Sequence, residues 1–264
     1  MRLDKFLAQS GIGNSKIVRI YIQDGKVKVN GQVVIKPAIA INENEDVVEY
    51  LDERISYMGK AYYMFNKPSG CVTARTDDKY KTVFDFFNEE NMKGVSHVGR
   101  LDKDTEGLLL LTNDGELNNK LMSPLKHVDK KYFFIALGSL DEACIDRLER
   151  GVSIGVDEEI TKPSKLEKVT NGIYKDFENE SDLIKVYNDS SNYYKQPAVS
   201  GYLTISEGRK HQVKRMLKAV GCHVIYLKRI SIGGLELDES LGKGQYRSLE
   251  KSEIEKLLGK FDVS

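Results

Sequence analysis

Cysteine is scarce. Cys71, Cys144 and Cys222 are the only three in 264 residues, and they form no Cys-x-x-Cys pair. That spacing builds neither a disulfide framework nor a cysteine-ligated zinc site, and it fits a reducing compartment. Long apolar runs are missing as well. None approaches the ~20 residues that a membrane helix needs, and the opening MRLDKFLAQSG lacks the apolar stretch of a secretion signal. The expectation is a soluble cytoplasmic protein with no membrane partner. Net charge is absent too, with 40 basic residues against 40 acidic. A uniformly basic nucleic-acid coat is therefore excluded, while local patches are not. What is present is length enough for two domains and 40% hydrophobic residues, sufficient for a core without disulfides.

The neutral average conceals segregation. Residues 1–36 carry Arg2, Lys5, Lys16, Arg19, Lys26, Lys28 and Lys36 against Asp4 and Asp24, whereas residues 37–53 carry six acids and no base. A domain boundary is expected near residue 55, with a linker over 56–60 and a second domain over 61–264. In the first segment LDKFLAQSG has helical spacing, with Leu3, Phe6 and Leu7 on one face and Gly11 as a stop. SKIVRIYIQDG combines a candidate N-cap, Ser15, with Gly25 just past its end. KVKVNGQVVI alternates around Asn30-Gly31, a hairpin signal, and EDVVEY reads as a further strand. Two helices and a small hairpin sheet make a module over residues 1–55, basic on the helices and the first strand.

Beyond residue 60, strands are expected at YYMFN, LLLLT, KKYFFIAL, DLIKVY, GYLTIS and HVIYLK. Helices are expected at TVFDFFNEE, ELNNKLM, DEACIDRLER, RKHQVKRMLKAVG and SEIEKLLGK. The order is no regular βαβ alternation, so the fold class is α+β, with a central mixed, largely antiparallel sheet flanked by helices. On a helix over 209–220, Val213, Met216, Leu217 and Val220 form a core stripe. His211, Lys214, Arg215 and Lys218 repeat that spacing two residues away and form a basic face. A lone basic face is ordinarily a solvated surface. Two basic islands, here and at 1–36, favour a shared polyanionic ligand. Residues 176–201 are polar and rich in Tyr, Asn and Ser around one strand.

The stretch GRLDKDTEGLLLLTNDG, residues 99–115, sets three acids before four leucines. Three readings are open. Asp102, Asp104, Glu106 and Gly107 imitate the start of a calcium loop, but the twelfth position is Asn113 in place of a bidentate Glu. Asp104 or Thr105 could simply shape a turn. The third reading is catalytic: a carboxylate held on a loop beside a buried strand can attack a sugar carbon. Ordinary glycosidases need two carboxylates, whereas here a single Asp102 is flanked by Arg100 and Lys103.

VGRLDKDTEGLLLLTNDGELNNKLMSP closely resembles the signature of pseudouridine synthases of the RsuA type, a family acting on small- or large-subunit ribosomal RNA. NKPSG (66–70), KKYFF (130–134), EGRKHQVKRM (207–216) and HVIYLKRISIGGLELD (223–238) resemble further motifs of that family in order. The N-terminal module resembles the small RNA-binding fold first known from the fourth small-subunit ribosomal protein, and the resemblance covers nearly the whole chain. It implies an isomerase that breaks the N1–C1′ bond of a uridine, turns the uracil and joins C5 to C1′, with no cofactor and no metal. It implies Asp102 as the catalytic carboxylate, Tyr132 packed against the base and assisting removal of the C5 proton, and Lys214 paired with Asp102. Leu227 would line the uracil pocket, with Arg100, Arg209 and Gln212 as further substrate contacts. Arg2, Lys5, Lys16, Arg19, Lys26 and Lys28, together with His211, Arg215 and Lys218, would hold RNA. Position 16 is Lys where the family more often has Arg, and 176–201 is longer than in compact relatives. VSIGVDEEITKPSKLEKV (152–169) looks closer to the small-subunit enzymes. The expected partner is thus small-subunit ribosomal RNA or an assembly intermediate, met by a monomer. Large-subunit RNA is the alternative within the family. A non-catalytic RNA-binding assembly factor is the alternative outside it, and an intact Asp102, Tyr132 and Lys214 set argues against that.

Overall fold

The computed structural model describes residues 1–57, 59–88, 92–177 and 195–259. Two helices open the chain, α1 (Leu3–Gln9) and α2 (Ser15–Gln23). Asn14, not Ser15, caps α2: its side-chain oxygen accepts the N–H groups of Lys16 and Ile17, each at 3.0 Å. The helices close on an antiparallel sheet of β1 (Val27–Val29), β2 (Gln32–Val33), β3 (Val48–Tyr50) and β4 (Glu53–Arg54), ordered β2-β1-β3-β4. Asn30 and Gly31 both take positive φ and form the expected hairpin turn. Leu3, Phe6, Leu7, Val18, Ile22, Val27 and Val48 bury against one another in a separate small core.

The second sheet has nine strands: β5 (Tyr62–Lys67), β6 (Ser96–Val98), β7 (Glu106–Thr112), β8 (Lys130–Leu137), β9 (Lys165–Ile173), β10 (Pro197–Ile205), β11 (His223–Ile232), β12 (Leu235–Glu236) and β13 (Tyr246–Ser248). Its order is β13-β5-β7-β11-β8-β10-β9, with β6 also on β7 and β12 on β11. The β7–β11 pair is parallel and the other pairs are antiparallel, so the sheet is mixed and largely antiparallel as expected. The run of leucines now has a physical reason. β7 is central and buried at every residue. Leu109 and Leu111 pack with Phe65, Phe134 and α5 (Gln212–Ala219) on one face. Leu108 and Leu110 pack with Met64, α3 (Gly115–Met122) and α6 (Lys251–Gly259) on the other. A strand covered on both faces has no polar alternation to show. α4 (Glu142–Arg150) joins the first face through Leu148.

Several expectations give way. TVFDFFNEE makes one 3-10 turn, Val83–Phe86, not a helix. Its Thr82–Asp85 capping box closes the turn, and Phe87 then runs extended to stack on Phe65 and Tyr246, with ring centres 5.1 and 4.2 Å away. The helix read over 209–220 starts only at Gln212, because His211 takes positive φ and the Gln212 side chain accepts the Arg209 N–H. The continuous basic face beginning at His211 therefore does not form as one helix face. β4, β6, β9, β12 and β13 have no counterpart among the expected strands, and β10 and β11 run longer than the segments read for them. The strand read at DLIKVY lies outside the described residues.

The N-terminal module rests on the second domain. Gly94, with φ +71°, lies so close to the end of α1 that a Cβ there would overlap the Gln9 carbonyl. Asn113 reaches the same carbonyl at 3.4 Å, and Lys5 pairs with Glu116 at 2.6 Å. Tyr57 packs on Phe6 with ring centres 5.5 Å apart, and Lys60 pairs with Asp114 at 2.7 Å. Both ends of the segment read as a linker are thereby fastened.

Candidate active site

A cavity of about 560 Å³ opens beside β8, β11 and the turn before α5, a volume suited to a nucleoside-sized ligand. Asp102 lines it from loop 99–105, which joins β6 to β7. Two side chains clip that loop. The Thr73 hydroxyl donates to the Leu101 carbonyl at 2.8 Å and accepts the Leu101 N–H at 3.2 Å. Lys67, fully buried at the end of β5, donates to the carbonyls of Pro68, Lys103 and Thr105 at 3.1, 3.2 and 2.9 Å. Burial pushes the Lys67 ammonium below its ordinary pKa, and the three carbonyls make a cation tolerable there. Where the loop enters β7, Gly107 has φ +96°, and a Cβ would overlap the Arg229 carbonyl. Only glycine lets β7 run this close to β11.

The Asp102 side chain is 29% exposed. Lys214, in the first turn of α5, places Nζ 3.3 Å from Asp102 Oδ2 and 2.5 Å from Asp104 Oδ1. His211 Nε2 stands 3.5 Å from Asp102 Oδ1. Lys214 is thus shared between two carboxylates, with the shorter contact to Asp104. Burial alone would raise the Asp104 pKa, but the hydrogen bond and charge of Lys214 outweigh it and hold that carboxyl below its ordinary range. Glu106 turns elsewhere, accepting from Tyr226 Oη at 3.0 Å and pairing with Lys243 at 2.9 Å. The acids of the calcium-loop reading therefore do not converge, and no group of three potential metal ligands stands together among the described residues. Tyr132 on β8 and Leu227 on β11, both buried, complete one wall of the cavity.

Residues 61–219 match the RNA pseudouridylate synthase family, and residues 1–47 match the S4 domain. The chain belongs to the RNA pseudouridylate synthase family. It is 41% identical over 259 residues to an uncharacterized RNA pseudouridine synthase of Bacillus subtilis (strain 168), spanning 96% of this chain and 97% of that one. It is 37% identical over 260 residues to ribosomal small subunit pseudouridine synthase A of Haemophilus influenzae, spanning 98% and 100%. Against the protein of that name in Escherichia coli (strain K12) the identity is 34% over 254 residues, spanning 96% and 98%. A crystal structure of a pseudouridylate synthase aligns with 98% of this chain and all of its own, at TM-score 0.63 and 36% identity.

Within this pseudouridine synthase the residues singled out from sequence divide. Asp102, Tyr132, Lys214, Leu227, Arg100, Arg209 and Gln212 line one cavity, and His211, assigned from sequence to RNA contact, joins them. Arg209 and Gln212 are also engaged in bracing the turn before α5. The Arg209 guanidinium meets Glu207 at 3.2 Å and the carbonyls of Glu159 and Ile160, while Gln212 donates to Glu207 at 2.8 Å. Arg215 lies off the cavity lining, held by the Ile154 carbonyl and Glu158, and Lys218 is exposed one turn further on. In the S4 module Arg2 and Arg19 converge on buried Asp4 at 2.8 and 2.9 Å. Lys26 pairs with Asp24 at 3.0 Å and Lys28 with Asp52 at 2.5 Å, while Lys16 is exposed at the start of α2. Sequence reasoning missed Lys67, Thr73, Lys130 and Arg229. Lys67 carried a signal in NKPSG. Lys130 and Arg229 lay inside KKYFF and HVIYLKRISIGGLELD but were not singled out there. Thr73 carried no signal, because its hydrogen-bond partner is the Leu101 backbone 28 residues away in the chain.

Proposed function

We propose that this synthase converts a uridine of ribosomal RNA, in the small-subunit (16S) RNA, to pseudouridine in the cytoplasm, with Asp102 as the catalytic carboxylate. The placement of Asp102 carries the reading: a carboxylate on a loop clipped by Lys67 and Thr73, in one cavity with Tyr132 and Leu227 and 3.3 Å from Lys214. The target nucleotide is extruded from its stack at a cost of a few kcal/mol, and its base enters against Tyr132 and Leu227. Asp102 attacks C1′ or removes the 2′ proton, the N1–C1′ bond breaks, and the base turns until C5 faces C1′. Tyr132 then helps take the C5 proton. Lys214 balances the charge of the adjacent Asp102 and Asp104. No atom is added, so the reaction calls for no cofactor. Two relatives named for the small ribosomal subunit, matched over nearly their full length, support 16S RNA as the target.

Primer-extension mapping of pseudouridine in ribosomal RNA from cells lacking the protein tests the substrate. Complementation with Asp102→Asn tests the carboxylate. The expected result is one uridine left unmodified in 16S RNA, not restored by Asp102→Asn although the variant still binds RNA. A missing modification in 23S RNA would move the target, and turnover by Asp102→Asn within about tenfold of wild type would remove the assignment of Asp102.

A further inference from the structure

Lys130 and Arg229 are the two most buried cations of the cavity lining, at 6% and 2% exposure. β8 and β11 bring them together: Arg229 lies opposite Tyr132 in the strand register, and Lys130 is two residues before Tyr132 on the same strand. Lys130, Tyr132, Leu227 and Arg229 all line the cavity. Neither cation forms an ion pair among the described residues. Lys130 Nζ donates to the Val128 carbonyl at 2.8 Å, and Arg229 Nε donates to the Leu108 carbonyl at 2.8 Å. Arg229 Nη2 is buried and has no hydrogen-bond partner among the described residues. Two unneutralised cations on one buried wall oppose folding, and such an arrangement marks a site that an anion completes.

We propose that Arg229 and Lys130 form a cationic wall that stabilises the uracil anion released when the N1–C1′ bond breaks, a role that rests on the uridine chemistry proposed above. That bond breaks with both electrons passing to N1, and the negative charge spreads over N1, O2 and O4 of the base. C1′ is meanwhile taken by Asp102, or left unsaturated after Asp102 removes the 2′ proton. When C5 bonds to C1′, the Asp102–C1′ bond breaks and frees the carboxylate or, on the other route, Asp102 returns the 2′ proton to C2′. The C5 proton then leaves and N1 takes up a proton, so the product is an isomer of the substrate and no further reactant enters. The neutral uridine gains only ordinary hydrogen bonds from the wall, whereas the anion gains the full charge interaction. That difference lowers the barrier and does not merely tighten binding. Burial, followed by the charge of Arg229, pushes the Lys130 pKa down to about 8, with Asp129 acting in the opposite direction. A backbone phosphate is the other anion in reach of this enzyme. The cavity meets the RNA backbone first at its exposed cations, Arg100, Lys103, Lys210 and His211, not at the buried pair beside Tyr132 and Leu227.

The test uses the full chain and a ribosomal RNA fragment in which wild type forms pseudouridine, beside the same RNA transcribed with 5-fluorouridine. Fluorine withdraws negative charge, so the fluorinated base leaves more readily and needs the wall less. Lys130→Met and Arg229→Gln should each slow single-turnover loss of uridine by about 100-fold while leaving Kd close to wild type. On the fluorinated RNA the same variants should lose less than about tenfold. Lys130→Arg should restore most of the rate. If Arg229→Gln does not fold, the two Lys130 variants decide. Equal losses on both RNAs overturn the wall. So does a loss that lies in Kd and shrinks the salt slope, the mark of a phosphate contact. A wild-type chain that forms pseudouridine in no ribosomal RNA removes the proposed function and this inference with it.

Discussion

Lys214 is bound to two acids at once, and that makes its role separable from its charge. Lys214→Met leaves Asp102 and Asp104 adjacent with no ammonium between them. The single-turnover rate is expected to fall about 10²–10³-fold, the usual loss when a positioned electrostatic partner is removed, with Kd little changed. Asp104→Asn, which gives the ammonium wholly to Asp102, should stay within about tenfold of wild type. Lys218→Met, on an exposed site one turn along, is the control: rate unchanged and the salt slope of log K lower by about 1 if it meets a phosphate. Equal, modest losses at 214 and 218, both recovered with more RNA, would reduce Lys214 to another phosphate-binding residue. Tyr132→Phe separates the remaining pair of roles, since packing against the base survives while the hydroxyl is lost. Slowing at saturating RNA supports the proton-handling role, whereas equal damage to affinity and rate supports packing alone.

Loop 99–105 works because other elements hold it, and Thr73 is the clip whose removal is easiest to read. Thr73→Val keeps the shape and leaves both polar atoms of Leu101 unpaired, a cost of about 1–3 kcal/mol measurable by urea unfolding. Because Asp102 follows Leu101 directly, turnover should fall beyond what lost stability explains. An intact rate would assign the positioning to Lys67 alone. The sequence made the central elements legible and the peripheral ones obscure. β7 and β8 announce themselves as apolar runs, and α5 does so through its stripe of Val213, Met216, Leu217 and Val220, all of which enter the core. β9 is an edge strand with partly exposed residues on both faces, so KLEKVTNGI shows no alternation, and its Lys168 has positive φ. β4 and β12 are two-residue pairings fixed only by their neighbours. Asp102, Tyr132, Leu227 and Lys214 were legible through motif resemblance. Sharing of Lys214 with Asp104 was not, because it depends on where α5 begins, and that is set by the Gln212 side chain and the positive φ of His211.

For the molecule as a whole, acid should be the most telling perturbation. Asp114 is buried, caps α3 through the Glu116 N–H at 3.1 Å, accepts Tyr62 Oη at 2.9 Å and pairs with Lys60 at 2.7 Å. Burial alone would raise its pKa, but the hydrogen bonds from Lys60 and Tyr62 outweigh this and leave it below the ordinary range. A depressed carboxylate stabilises the fold fully above its unfolded pKa, about 4, and the contribution fades as pH falls through the lower folded value. Asp114→Asn should therefore lower Tm at neutral pH and flatten the decline seen below about pH 4 in calorimetry. A variant curve parallel to wild type at every pH would place the acid sensitivity elsewhere.

The close approach of Gly94 to Gln9 has a consequence for affinity. A docked S4 module and the catalytic cavity behave as one rigid bivalent ligand, so RNA that engages one is already aligned with the other. Releasing the module onto a flexible tether replaces that alignment with an effective concentration on the order of millimolar. Gly94→Val forces a β-branched side chain into the Gln9 carbonyl and should undock the module without touching any residue that meets RNA. Kd should then rise while the salt slope stays the same, because every phosphate is still held and only the simultaneity of holding them is gone. Deleting residues 1–55 should instead shrink the slope by about 0.7–0.9 for each phosphate that the module had neutralised. Wild type and Gly94→Val with equal slopes and unequal affinities would locate part of this enzyme's RNA affinity in a contact made entirely within the protein.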